Sequence, residues 1–268
     1  MIASAEAVRA YIEKIPPMQE TLRQCYQALG EGNLPAAARF AAADPALLYY
    51  LRQLTTRPLY GFGAPIKDPA QIFGVLGLGG SRSAVESFVF SRLMPEHFLV
   101  FEIKTARFMA FQDDFLAHWL KVLKRLGADE MRYGALPPLL MGAIVVADAV
   151  FGAQREAVAA LKSAQPIDYD TLLKRFAGVS LFGVVEEIAR RWELPDAALS
   201  VLKILNDRSG GEMQEALLAR WLHLLFFYIL SQPEMVAAGL NDFIPFDPGY
   251  AAPVMEAFES VVSDASGD

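Results

Sequence analysis

Between Leu139 and Phe151 the chain is apolar on every helical face, with Asp148 the one charged residue in the run. A helix with no polar side cannot lie on a surface, so it has to be central and buried all round. The wider stretch from Leu136 to Gly152 carries Pro137, Pro138 and Asp148, and Ala216–Leu230 carries Arg220 and His223. Both fall short of the roughly 18 uninterrupted apolar residues that a membrane-spanning helix needs. They read as core helices, and no membrane insertion is expected.

The rest of the chain supplies amphipathic partners. Val8, Ile12 and Ile15 share a helical face that Pro16-Pro17 ends, and Met18–Leu29 and Leu34–Phe40 continue the pattern. Phe98–Leu126 reads as one long helix with Phe108, Phe111, Phe115, Trp119, Val122, Leu123 and Leu126 along one side. Shorter helices are expected at Ala157–Leu161, Tyr169–Phe176 and Leu181–Trp192. Asp196 is expected to cap Ala197–Leu205, with Asn206–Gly211 as a loop and a last helix near Pro253–Val262. Val100–Ile103 alternates for a few residues but has no strand to pair with. The fold class is all-α.

One stretch, Ala42 to Arg82, organises the first half. Asp44-Pro45 is a helix start, because Asp44 can accept from the first free N–H groups and Pro45 has none to lose. Leu47, Leu48, Leu51 and Leu54 then form an apolar face. A second apolar pattern, Ile72, Val75, Leu76 and Leu78, is expected to end at Gly79-Gly80, with a new helix over Ser83–Met94. Gly77–Arg82 has some look of a phosphate cradle, but no strand leads into it and no lysine follows, so a tight helix–helix turn is expected.

Fifty-four per cent hydrophobic and 21% charged residues in a chain of 268 describe a folded protein with a sizeable core. A formal charge of −7 argues against a nucleic-acid partner. The cation clusters Lys121, Lys124, Arg125 and Arg190, Arg191 read as solvated helix faces. Cys25 is the sole cysteine, which excludes an internal disulfide and fits a reducing compartment; it reads as an inert thiol. No basic start followed by an apolar block opens the chain, and a cytoplasmic location is expected. His97 reads as exposed, His118 as facing solvent or capping a contact, and His223 as a core-edge residue bonded to a carbonyl. Around Phe243, Ile244 and Phe246 an exposed patch and a packed-back tail are both open.

Ile15-Pro16-Pro17-Met18, then Asp44-Pro45-Ala46-Leu47 with Leu51, Leu54, Pro58, Tyr60-Gly61 and Ile66, then Leu76-Gly77-Leu78-Gly79 and Arg82 follow one another in order. A later block runs from Gly178-Val179-Ser180-Leu181 to Trp192-Glu193-Leu194-Pro195. Together these resemble the HDOD output domains of bacterial signalling proteins, relatives of HD-type metal phosphohydrolases. The resemblance covers most of residues 12–210, with a helical part to about 95 and a degenerate HD-like part after it; 211–262 would be a C-terminal helical extension. One departure is Thr56-Arg57, where the family usually carries Asn-Ser.

HD chemistry needs His and Asp side chains on one or two metal ions that activate a water. The resemblance puts the His-Asp doublet at Val145-Val146, a further His at Leu181, a His pair at Asn206-Asp207 and the earliest His near Asp114. Valine and leucine offer no lone pair to a metal. Asp113, Asp114, His118, Asp148 and Asp207 remain as rebuilding material, and any residual site would rest on Asp114, His118 and Asp207. The preferred expectation is a filled core with no catalytic, metal or cofactor site. The resemblance then implies a non-catalytic signal-transduction regulator or scaffold acting on a signalling protein or a small ligand. The alternative is a diverged metal-dependent phosphohydrolase or cyclic-dinucleotide phosphodiesterase.

Overall fold

The computed structural model describes residues 3–14, 20–56, 66–92, 94–208 and 213–262. The residues of the Ile15-Pro16-Pro17-Met18 and Pro58–Gly61 motifs, Arg57 and residues 209–211 of the expected 206–211 loop lie outside the described residues, while Asn206 and Asp207 of that expected loop are helical. Among the described residues every regular element is a helix, from α1 (Ala5–Lys14), α2 (Glu20–Gly30), α3 (Leu34–Ala43) and α4 (Pro45–Thr55) to α15 (Pro248–Val262). Asp44 caps α4 as expected: its Oδ1 accepts from the Ala46 and Leu47 N–H groups at 2.9 and 3.0 Å.

Next, α5 (Pro69–Ser91) corrects the expected break at Gly79-Gly80. The chain turns at one residue, Gly77, with φ 68°, a left-handed conformation open to glycine at little cost, and the helix resumes at once. Past that kink nearly every residue is buried. No phosphate cradle remains there, because the Glu130 side chain lies against Gly79, so close that a Cβ would come within 2.4 Å of its Oε2.

The expected Phe98–Leu126 helix is also shorter, starting only at α6 (Thr105–Leu126). Its apolar stripe is buried from Phe108 to Leu123, with Leu126 half-buried at the end, and Gly127, at φ 58°, closes it in the left-handed conformation. After the short α7 (Glu130–Tyr133) comes α8 (Leu136–Gly152), the central helix. Pro137 and Pro138 fall in its first turn, where no N–H is needed. It packs against α1, α5, α6, α11 (Leu181–Arg191), α13 (Met213–Leu230) and α9 (Arg155–Ala164). Among the described residues one stretch, Glu130–Gly152, is apolar and long enough to cross a membrane, and 89% of its most apolar 18-residue window is buried inside the protein. Gly142 lets α5 approach: a Cβ there would come within 2.5 Å of Phe90 Cε1.

The remaining elements are α10 (Tyr169–Ala177), α12 (Asp196–Asp207) and α14 (Pro233–Ala237). Asp196 is the first helical residue of α12 and gives no side-chain cap, since Pro195 occupies the cap position. Phe243 and Ile244 are buried, so the packed-back reading of that segment holds.

The elements are held unequally. Fourteen of the seventeen residues of α8 are buried. In α1 only Val8 and Ile12 of ten are. Burying two such side chains returns roughly 1.5–3 kcal/mol each, against on the order of 1–2 kcal/mol per residue to order the backbone. A ten-residue helix is also too short to persist alone, so α1 owes its order to docking.

Candidate functional site

Val145 and Val146, where the resemblance places the doublet, are 3% and 2% exposed in the middle of α8. Leu181 is fully buried at the start of α11. Its N–H donates to Asp170 Oδ1 at 2.6 Å, and Ser180 caps the same helix by accepting from Gly183 N–H at 2.9 Å. Ser180 also donates to Asn206 Oδ1, so the Leu181 and Asn206 positions do come side by side. What meets there is hydrocarbon, the Ser180 hydroxyl, the Asn206 amide and the Asp170 carboxylate. That one acid is already engaged by the Leu181 N–H and by Lys174 at 2.7 Å, a donor set that does not suit a divalent metal.

The acids and imidazoles left over are spread over α6, α8 and α12. Asp148 is 2% exposed and employed elsewhere. Its carboxylate accepts from the Leu99, Val100 and Phe101 N–H groups at 2.9, 2.7 and 3.2 Å, fastening the irregular segment that replaces the expected start of α6. Asp114 and Asp207 are exposed, on α6 and at the end of α12. Of the two expectations for His118, facing solvent is the one that fails: it is buried at 7% exposure, edge-on to Tyr228 and bonded to the Val261 backbone. Burial and Lys121 lower its pKa, against Asp114. Among the described residues no three His, Cys, Asp or Glu side chains gather closely enough to hold a metal ion.

His223 also corrects an expectation. Rather than bonding a carbonyl, its Nε2 accepts the Asp247 N–H at 3.2 Å, while the ring stacks on Phe246. It must therefore be neutral. Burial, with Arg208 adding and Asp247 opposing, takes its pKa down from 6.5 to about 4. Below pH 6.5 the unfolded chain takes up a proton that the folded one refuses, so this contribution to stability is lost as pH falls towards 4. At about 1.4 kcal/mol per pKa unit the loss approaches ~3 kcal/mol. Denaturant midpoints at pH 7.5 and 4.5 check this, and in His223→Asn the drop is expected to shrink. Without such a change, His223 would be charged in the native protein.

A polar cluster that sequence reasoning missed lies between α2 and α5. The Tyr26 hydroxyl donates to Glu86 Oε1 at 2.6 Å, Arg82 Nε reaches the same oxygen at 3.2 Å, and the guanidinium lies 4.1 Å from the Tyr26 ring centre. Burial pushes the Glu86 carboxyl up to about 7, with Arg82 and Tyr26 pulling against it. The Arg82–Glu86 spacing of four was a legible signal; the partner on another helix was not. Cys25 is buried too, its thiol pushed up to about 12, as an inert residue should be.

The all-helical architecture matches the HD-like phosphohydrolase fold. Among solved structures the chain is similar to a protein from Shewanella amazonensis SB2B described as a metal-dependent phosphohydrolase. The identity is 13%, the alignment covers 96% of this chain and 97% of that one, and the TM-score is 0.52. A virulence factor from Campylobacter jejuni subsp. jejuni aligns over 97% of this chain and 90% of its own at 18% identity, with a TM-score of 0.40. No family model matches the chain, and no curated protein matches it.

Proposed function

We propose that this protein is a non-catalytic regulator or scaffold of the HDOD type, working in the cytoplasm through binding of a signalling protein. In this reading residues 12–210 are the HDOD unit and 211–262 an extension of it. The observation that carries it is the burial of Val145, Val146 and Leu181, 3%, 2% and 0% exposed, at positions where an HD enzyme needs lone pairs. The HD-like architecture persists around those three aliphatic side chains.

The competing reading is a reduced phosphohydrolase or phosphodiesterase site on Asp114, His118 and Asp207. One experiment separates the two. Purified protein is analysed for bound metal, then assayed with phosphomonoester and cyclic-dinucleotide substrates in Mn²⁺ and Mg²⁺. The regulator reading expects no turnover above the level of Asp114→Ala. Turnover that disappears in that variant overturns it.

A further inference from the structure

A cleft of about 320 Å³ opens between the segment that Asp148 fastens and the first turns of α9. Leu99, Val100 and Val158 give it apolar walls, and its charged residues are Glu102, Arg155 and Glu156, two acids to one base. Val145, Val146 and Leu181 take no part in it. Apolar walls with a few converging polar groups are the make-up of a small-molecule site.

Tyr169 is the polar group set deepest. It lines the cleft yet is only 6% exposed, its ring packed on Phe101, Phe151 and Phe243 with the Lys162 ammonium 4.1 Å from the ring centre. Among the described residues its hydroxyl has no hydrogen-bond partner. With the ring enclosed in this way, the hydroxyl is what Tyr169 turns to the cleft. A largely buried hydroxyl left unbonded is costly, and a ligand that bonds it removes that cost.

The field at this hydroxyl is negative. After burial, Asp242 and Asp148 are the groups that push its pKa up to about 12. Lys162, beside the ring, is already engaged by Asp242 and by the Ile167 carbonyl at 2.8 Å. An anion would find Arg155 and the first turn of α9, which Gln154 leaves without a side-chain cap. Glu156 stands in that same turn and already answers the helix dipole, and Glu102 adds a second acid. The balance favours a cation on an apolar stem.

We propose that this cleft binds an aliphatic ammonium group, its stem along Leu99, Val100 and Val158, its nitrogen donating to the Tyr169 hydroxyl oxygen, with Glu102 and Glu156 offsetting its charge. Small amines and lysine side chains both carry such a group. The inference goes beyond the regulator reading and does not depend on it, so either can fail alone.

The full chain is titrated calorimetrically with n-pentylamine, cationic at neutral pH, and with 1-pentanol and pentanoate. The amine is expected to bind about tenfold or more tighter than the alcohol, and pentanoate not to bind measurably. Tyr169→Phe is expected to weaken amine binding about tenfold while keeping the wild-type denaturation midpoint, because the hydroxyl has no bond within the protein to lose. Glu102→Gln combined with Glu156→Gln is expected to weaken it as well. Nα-acetyl-lysine amide separates the two sources: affinity equal to the amine's assigns the site to a lysine of a partner chain, weaker affinity to a free amine. Equal affinity for amine and alcohol, tighter binding of pentanoate, no saturation by about 10 mM amine, or undiminished amine affinity in Tyr169→Phe would each overturn the proposal.

Discussion

Putting the doublet back, as Val145→His with Val146→Asp, is expected to unfold the protein instead of restoring a metal centre. Both sites are within 3% of complete burial, on a helix surrounded by six others. An ionised carboxylate there has no cation and no ring of N–H donors to receive it, and an unpaired buried charge costs several kcal/mol. Lost apolar packing adds about 1 kcal/mol or more per site. The sum, on the order of 5 kcal/mol or above, is comparable with the whole stability of many domains. Guanidinium denaturation with and without Mn²⁺ measures it. Should the double variant keep its midpoint, or gain stability from the metal, the cavity would still be a ligand site and the regulator reading would lose its main support.

The second large effect concerns Asp148. Asp148→Ala is expected to cost about 3–5 kcal/mol, because three backbone N–H groups lose their acceptor together and each buried unsatisfied donor costs roughly 1–3 kcal/mol. The upper end of that sum is tempered by Leu99, which is 52% exposed and lets water reach part of the segment. Asp148→Asn keeps one acceptor oxygen and is expected to lose about half as much. The damage should be local: amides of Leu99, Val100 and Phe101 should lose exchange protection before those of α8. If Asp148→Ala keeps wild-type stability, the carboxylate would have to be a survivor of a site and not a fastener.

These two residues mark how far reading the chain can go. The apolar run through α8 and the stripe of α6 are local periodicities, and a period of 3.6 residues is visible without knowing any neighbour. Asp44 before Pro45 is equally local, because a cap acts within its own turn. The centre's aliphatic character was likewise legible, since valine cannot ligate whatever surrounds it.

What the sequence could not reveal depends on groups distant along the chain. Asp148 meets amides nearly fifty positions earlier, and that bond is why the segment after Pro95 does not join α6. His118 looks polar on its own helix and is buried because Tyr228 and Val261 cover it. Of the glycines between 77 and 80, any can adopt positive φ at little cost; it is Gly77 that does, while Gly79 packs on Glu130. Local periodicity thus determined that the chain is a helical protein with a hydrocarbon centre. Tertiary packing alone decided which polar groups are fasteners and that α1 lies over that centre, because those contacts join residues whose separation along the chain carries no periodic signal.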